Sequence, residues 1–450
     1  STGSSRTRAS DARRGRPTVP RLLPLPPSDT LTTVPRRPLI RLPSLSRETL
    51  GGDVLAGVSV ALVLIPQAMA YADLAGLPPV HGLYAGAVAP ILAAPFASSR
   101  FLQTGPTALT CLLTLGGLGT LFAPYSSSYV AAAALLALLV GVVRIAIGLL
   151  RGGAIARVLS EPVLRGFTLG AAVLIGGSQI SAAFGAPTPE GGVVLRAART
   201  LADPASWTPG AVVLTVVTIA LMRGGKRIHP LFPGVLVAAV LGLGASVLGL
   251  GVGPSIGAIP GSLPRFDVAF PWAATPQLLI PALVIAVVGF AEPAAIARAY
   301  DDGDGEPWDA DREFVSQGVA NVTAGVFSGF PVGGSFSRSA LTHVAGGRTV
   351  LAGAMTGLIV LAVVPFASLL APLPRAILGA TVLGAVVKLL DPRPVLHLWT
   401  ARRRDGLLAL TTLLATLLSA PHVEYGVLVG VGLSLLVYRG LPPESGGGEE

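Results

Sequence analysis

The chain has 450 residues, of which 52% are hydrophobic and only 12% charged, half the charged share of about 25% found in globular proteins. This composition excludes a soluble globular domain and points to a polytopic membrane protein. The formal net charge of +9 does not make it a nucleic-acid binder, because ten Arg, against only Asp11, Asp29 and Glu48, crowd into residues 1–50. That stretch, rich in Pro and Ser, reads as a disordered basic cytoplasmic tail, solvated or touching anionic lipid.

Beyond the tail, apolar runs fall at 54–72, 80–97, 101–123, 129–150, 162–184, 209–222, 230–252, 275–299, 314–330, 335–345, 349–371, 373–390, 405–421 and 423–440. The charge-free run Phe101–Val143 and the run Ile228–Pro264, which holds only His229 as a titratable group, exceed the ~20 residues of one spanning helix. Each must therefore contain more than one helix. The expectation is an all-α membrane protein of fourteen transmembrane segments. Lys and Arg sit in alternate connections: Arg100; Arg151, Arg157 and Arg165; Arg223, Lys226 and Arg227; Arg298 and Arg312; Arg348; Lys388, Arg393, Arg402, Arg403 and Arg404. The opposite connections hold only Arg196, Arg199, Arg265 and Arg375. This asymmetry puts both termini in the cytoplasm. Seven spans per half make the second half start from the opposite side, the condition for two inverted 7-segment repeats, about 51–252 and about 275–440, within a transmembrane domain over 51–440. The repeat rests on hydropathy alone.

Two interrupted runs occupy matching places, each near the third span of its half. In Gln103-Thr104-Gly105-Pro106-Thr107, Thr104 or Gly105 suits a helix N-cap and Pro106 the first helical position; ordinary capping at a membrane surface is the alternative. In Gly333-Gly334-Ser335-Phe336-Ser337-Arg338-Ser339, Ser335 suits the N-cap and Arg338 falls in the first turn. An ionisable group at bilayer depth costs about 3 kcal/mol or more. Broken helices 3 and 10 meeting at the midplane would converge their unpaired N–H groups, with Arg338, on one anion. Glu292 is the second interior charge. Pro293 after it deprives the Gly289 carbonyl of its hydrogen bond, so the carboxylate and freed oxygen could hold a proton or a sodium ion, or the carboxylate could pair with Arg338.

Elsewhere the chemistry is sparse. One cysteine, Cys111, excludes an intramolecular disulfide, and five scattered His show no ligand spacing, so neither metal nor cofactor is expected. The loop Asp301–Pro307 lacks calcium-loop spacing and reads as solvated acid. No nucleophile–base pair suggests an enzyme.

Several motifs together resemble the SulP family of anion transporters over roughly residues 50–440. They are Gly52-Asp53-Val54-Leu55-Ala56-Gly57 through Ile65-Pro66-Gln67-Ala68-Met69-Ala70-Tyr71; Leu77-Pro78-Pro79-Val80-His81-Gly82-Leu83-Tyr84; and Gln317-Gly318-Val319-Ala320-Asn321 followed by Gly329-Phe330-Pro331 and Gly334–Ser339. The resemblance implies a core domain moving against a gate domain, a homodimer, and an anion bound between the third and tenth helix starts. It implies that Gln67, Tyr71, Thr107, Ser337 and Arg338 surround the substrate, beside Thr104, Gly105, Ser335 and Phe336 of the two starts. Glu292, with Gly289, would serve the coupling ion. Thr107 stands where some relatives carry an aromatic residue, which leaves pocket size open. Gln67 and Tyr71, four apart, share a helix face, which packing alone would also explain. The family usually continues into a cytoplasmic STAS domain; here only the short tail 441–450 follows, so a membrane domain without STAS is expected.

The expected function is secondary active transport of a small oxyanion or carboxylate (sulfate, bicarbonate or a dicarboxylate such as fumarate) across a bacterial inner membrane, by proton symport. Sodium-coupled bicarbonate symport, an uncoupled anion channel and a proton-coupled nucleobase transporter stand as alternatives.

Overall fold

The computed structural model describes residues 39–40, 46–157, 160–300 and 307–438. The basic tail as far as Pro38, the acidic residues Asp301–Glu306 and the tail 441–450 lie outside the described residues. Among the described residues the chain forms sixteen α-helices. The first eight are α1 (Arg47–Leu74), α2 (Pro79–Ala93), α3 (Ala108–Leu118), α4 (Ser127–Leu149), α5 (Glu161–Phe184), α6 (Val193–Ala202), α7 (Pro209–Ile228) and α8 (Gly234–Val247). The second eight are α9 (Thr275–Ala299), α10 (Ala310–Val326), α11 (Phe336–Val344), α12 (Leu351–Val363), α13 (Arg375–Val386), α14 (Arg393–Ala401), α15 (Arg403–Leu418) and α16 (Val423–Tyr438). Two short strands, β1 (Thr104–Gly105) and β2 (Gly333–Gly334), precede α3 and α11. The element order of the first half recurs in the second: the third helix of each follows a two-residue strand, and the sixth is short.

Each of the fourteen apolar runs contains one helix. The ends shift where polar chemistry extends a helix beyond its apolar run. Helix α1 starts at Arg47 because Ser46 and Thr49 exchange side-chain and backbone hydrogen bonds as a capping box. Helix α7 runs on through Arg223, Lys226 and Arg227, cations that suit a helix C-terminus. Helices α6 and α14 lie outside the expected set. With ten and nine residues they are too short to span and too polar to register as apolar runs. Among the described residues six helical stretches are long and apolar enough to cross a membrane, beginning in α1, α2, α4, α5, ahead of α9 at Trp272, and in α12.

Small residues set how closely these helices pack, since lipid tails supply no hydrophobic drive between apolar helices. The α4–α10 pair is the clearest case. A methyl group at Gly141 would stand 2.5 Å from the Val322 nitrogen, and one at Gly318 would stand 2.8 Å from the Ile145 nitrogen. Gly148 and Gly325, each seven residues further on, meet Asp311 O and Ala134 O in the same way, at 2.5 and 2.7 Å. Two glycine rows at heptad spacing thus bring the backbones of α4 and α10 together, so that residues near them, including Arg144 and Asn321, are held firmly.

Gly318→Ala should therefore cost about 1–3 kcal/mol by overpacking and lower the unfolding temperature in detergent. Gly353→Ala on α12, where nothing lies within 4 Å, should not. Equal melting of the two variants would argue against backbone contact as the basis of the pairing.

Candidate functional site

The two interrupted runs meet each other. Thr104 pairs with Gly334 and Gly105 with Gly333 in an antiparallel ladder, and the Ser335 N–H donates to Gln103 O at 3.1 Å. This corrects the capping expected for the first run. Thr104 and Gly105 are strand residues; the cap of α3 is Thr107, whose hydroxyl accepts from the Thr110 N–H while its own N–H donates to Thr110 Oγ1 at 3.3 Å. Pro106 accordingly precedes the cap instead of opening the helix. The reason is steric: a proline drives the residue before it into extended backbone, and Gly105 then pairs with β2. Ser335 does occupy the N-cap position of α11, but its hydroxyl lies 3.3 Å from Ser337 Oγ instead of bonding the helix start.

Arg338, third residue of α11, is 1% exposed. Its Nη1 donates to Gln67 Oε1 at 3.1 Å, and Gln67 Nε2 donates to the Tyr71 hydroxyl at 3.3 Å, so two α1 residues join the site. Nε and Nη2 are buried without a hydrogen-bond partner. Nη2 faces β1, 3.4 Å from where a Gly105 Cβ would stand. Among the described residues no acidic side chain comes within 4.0 Å of Arg338, so the ion pair considered for Glu292 is not formed. The half-buried Glu292 carboxylate instead lies within electrostatic reach of both Arg338 and the Phe336 N–H at the start of α11. A cation removed from water with two donors unspent is costly unless an anion completes it.

Gln67, Tyr71, Gly105, Thr107 and Arg338 thus lie around the junction of β1, β2 and the two helix starts. Four others are disposed differently. The Thr104 hydroxyl is engaged by Gln317 Nε2 at 2.7 Å. Phe336, 47% exposed, and Ser337 point to an open face. Gly289 makes room for another side chain, since a Cβ there would stand 2.8 Å from Arg144 Nη2.

Three residues that hold the site had no role in the sequence expectations. Asn321 accepts the Val332 N–H at 2.9 Å and donates to Val332 O at 3.1 Å and Gln317 O at 2.7 Å, fixing the approach to β2. Ser339 accepts the Gln103 N–H at 3.0 Å on the β1 side. Arg144, wholly buried, donates from Nε to Ala286 O (3.2 Å), from Nη1 to Val332 O (3.0 Å) and from Nη2 to Ile285 O (3.0 Å). Its signal was present, a charge inside the apolar run 129–150. No group of three or more His, Cys, Asp or Glu able to hold a metal occurs among the described residues.

Fold and site together define a polytopic helical protein with paired discontinuous helices, the plan in which half-helix ends address a charged solute. The chain belongs to the sulfate permease family, whose model matches residues 50–412. It is 37% identical over 413 residues to a Mycobacterium tuberculosis protein named a probable sulfate transporter, covering 88% of this chain and 72% of that protein. It is 34% identical over 395 residues to sulfate transporter 4.1, chloroplastic, of Arabidopsis thaliana, covering 85% of this chain but 57% of that one. Among solved structures, the transmembrane domain of a cyanobacterium bicarbonate transporter, BicA, superposes with a TM-score of 0.72 at 24% identity, over 87% of this chain and 98% of that domain. The chain therefore spans little more than half the length of the plant relative and the whole length of an isolated transmembrane domain.

Gln67→Glu would place a carboxylate 3.1 Å from Arg338 Nη1 and satisfy the arginine internally. Its expected effect is loss of anion-dependent thermal stabilisation, which in the unaltered chain should reach about 2.7 kcal/mol at a hundredfold excess over Kd, with no loss of folded protein. Undiminished stabilisation by anions would separate Gln67 and Arg338 from the binding site.

Proposed function

We propose that this chain carries a small anion, sulfate foremost, across a bacterial inner membrane by alternating access, with the anion held between the starts of α3 and α11. The observation that carries this is Arg338: a buried guanidinium with two unspent donors at the meeting point of two helix N-termini, whose leading N–H groups have no intrahelical acceptor. Both relatives described above are named sulfate transporters, which supports sulfate as the substrate. The likeness to a bicarbonate transporter's membrane domain makes bicarbonate the second candidate. A nucleobase is disfavoured, since a neutral ring would leave the Arg338 charge unmatched.

The same proposal includes fourteen spans in two inverted sevens, cytoplasmic termini and a homodimer. The recurrence of a strand before the third helix of each half, and of a short sixth helix, supports the repeat. Glu292 is proposed as the coupling residue. It lies beside the α11 start without pairing to Arg338, so its negative charge opposes a bound anion and protonation removes that opposition. Proton and anion then load together, as symport requires.

Uptake of labelled sulfate, bicarbonate and fumarate into proteoliposomes, with and without an inward proton gradient, tests this. Sulfate uptake should rise with the gradient. Arg338→Ala should lose roughly 30-fold or more of the flux, the effect of truncating one partner of a buried charge pair. Glu292→Gln should keep exchange but lose the response to protons. Normal flux in Arg338→Ala would overturn the anion site; a response to sodium and not to protons would reassign Glu292 to a cation site.

A further inference from the structure

Arg144 carries a charge that nothing nearby balances. It is wholly buried on α4, and all three of its recorded hydrogen bonds go to backbone carbonyls: Ile285 and Ala286 on α9, and Val332 one residue before β2. Carbonyls orient a guanidinium but do not cancel its charge. Among the described residues no carboxylate lies within 4.0 Å of it.

Its position is specific. Nη2 stands where a Gly289 side chain would be, 2.8 Å from that Cβ site. The Gly289 carbonyl lies 3.6 Å from the Cβ site of Gly333, and Thr107 Oγ1 lies at the same 3.6 Å. Thr110 closes the group, with Cγ2 at 3.7 Å from the Gly289 site and 3.4 Å from the Gly333 site. Arg144 thus bonds the residue before β2 and borders Gly289 and Thr110, which in turn border Gly333. The same side chain ties α9, which carries Glu292, to the strand that leads into Arg338.

We propose that Arg144 is a positioning residue and the second fixed positive charge of the anion site, and that the pair Arg338–Arg144 suits the site to doubly charged anions over singly charged ones. This rests on the anion-transport function proposed above and specifies its substrate class. The charge balance agrees with the coupling: with Glu292 protonated two positive charges face a dianion, and with Glu292 ionised one is cancelled. Because Arg144 touches backbone and not the anion, it contributes through the field and through the register of α9 against β2. A field contribution scales with the charge of the anion. The factor by which removing Arg144 weakens binding of a dianion should therefore be the square of the factor for a monoanion.

The test is displacement of labelled sulfate by unlabelled sulfate, fumarate, bicarbonate and nitrate from the purified chain in lipid nanodiscs, with transport kinetics alongside. Arg144→Gln is expected to weaken the two dianions by about tenfold and the two monoanions by about threefold, in line with that scaling. Arg144→Lys, which keeps the charge without the planar fork, should restore the dianion preference while leaving turnover low. Equal losses for mono- and dianions in Arg144→Gln, or no loss, would overturn the role of Arg144 and leave the Arg338 site standing. Absence of any anion binding by the unaltered folded chain would overturn both.

If Arg144→Gln does not fold, Gly289→Ala decides. It keeps the charge but crowds Nη2, and should lower turnover with the dianion-to-monoanion ratio unchanged; a changed ratio, or unchanged turnover, would overturn the proposal.

Discussion

Two stretches of non-helical backbone, Gln103–Thr107 and Val332–Ser335, set the terms for the structure around them. In a membrane-spanning chain no water is available to satisfy extended backbone at depth, so every N–H and C=O there must find a partner in the protein. The β1–β2 ladder meets part of that demand by pairing the two stretches with each other. The remainder is met by side chains. Asn321 takes both polar groups of Val332, Ser339 accepts from Gln103, and Arg144 adds a donor to Val332 O. The polar residues of α10 and α11 are therefore the condition for breaking two helices at one point. Once broken, those helices present their N-termini to the same small volume.

That economy does not extend to Arg338. The one recorded bond of its guanidinium, to Gln67, is to a neutral amide, whose Nε2 donates in turn to the Tyr71 hydroxyl. A structural arginine at this depth would be expected to resemble Arg144, which spends Nε, Nη1 and Nη2 on fixed carbonyls. The contrast between two buried arginines in one protein is informative because burial, which would impose the same cost on both, is held constant. Arg144 has Nε, Nη1 and Nη2 all engaged by the scaffold and can act on the site only through its charge and the register it fixes. Arg338 is left two donors short, at the place where the helix starts meet.

The sequence disclosed what depends on local composition. Fourteen apolar runs each became a helix, and the Gly-Ser-rich stretch before Arg338 marked a helix start correctly at Ser335. It misassigned the first start because capping there is decided by a pairing between Gly105 and Gly333, far apart in the chain, which no window of sequence contains. A Thr three residues before another Thr was the available signal for the cap at Thr107. Helices α6 and α14 were missed because amphipathic turns of about ten residues leave no long apolar run. Arg144 was visible by the criterion that singled out Arg338, a charge within an apolar run, but it stands mid-helix with no helix start beside it. Its partners are backbone carbonyls, which have no letter in the sequence.

Close packing also groups many of the helices into two sets, which touch where a methyl group at Gly116 of α3 would stand 2.5 Å from Pro421 O, ahead of α16. In one, α4 meets α10 along glycine rows, α1 meets α12 at Gly57, where a methyl group would stand 2.6 Å from Met355 Cβ, and α2 meets α1 at Gly82, 2.0 Å from Ala68 O. In the other, Gly166 of α5 meets Ala409 O of α15 at 2.1 Å, Gly379 of α13 meets the Ala183 nitrogen of α5 at 2.9 Å, and Gly426 of α16 meets the Thr416 nitrogen of α15 at 2.7 Å. Every residue that holds the candidate site (Gln67, Arg144, Asn321, Arg338 and the two strands) belongs to the first set or is bonded to it. Backbones in such contact cannot slide without steric conflict, since packed interiors deform little. A motion that opened the site by separating its own walls would have to break the β1–β2 ladder and the bonds of Arg144 and Asn321 together. Motion of the first set as one body against the second breaks none of them, so a movement of that kind would leave the candidate site intact.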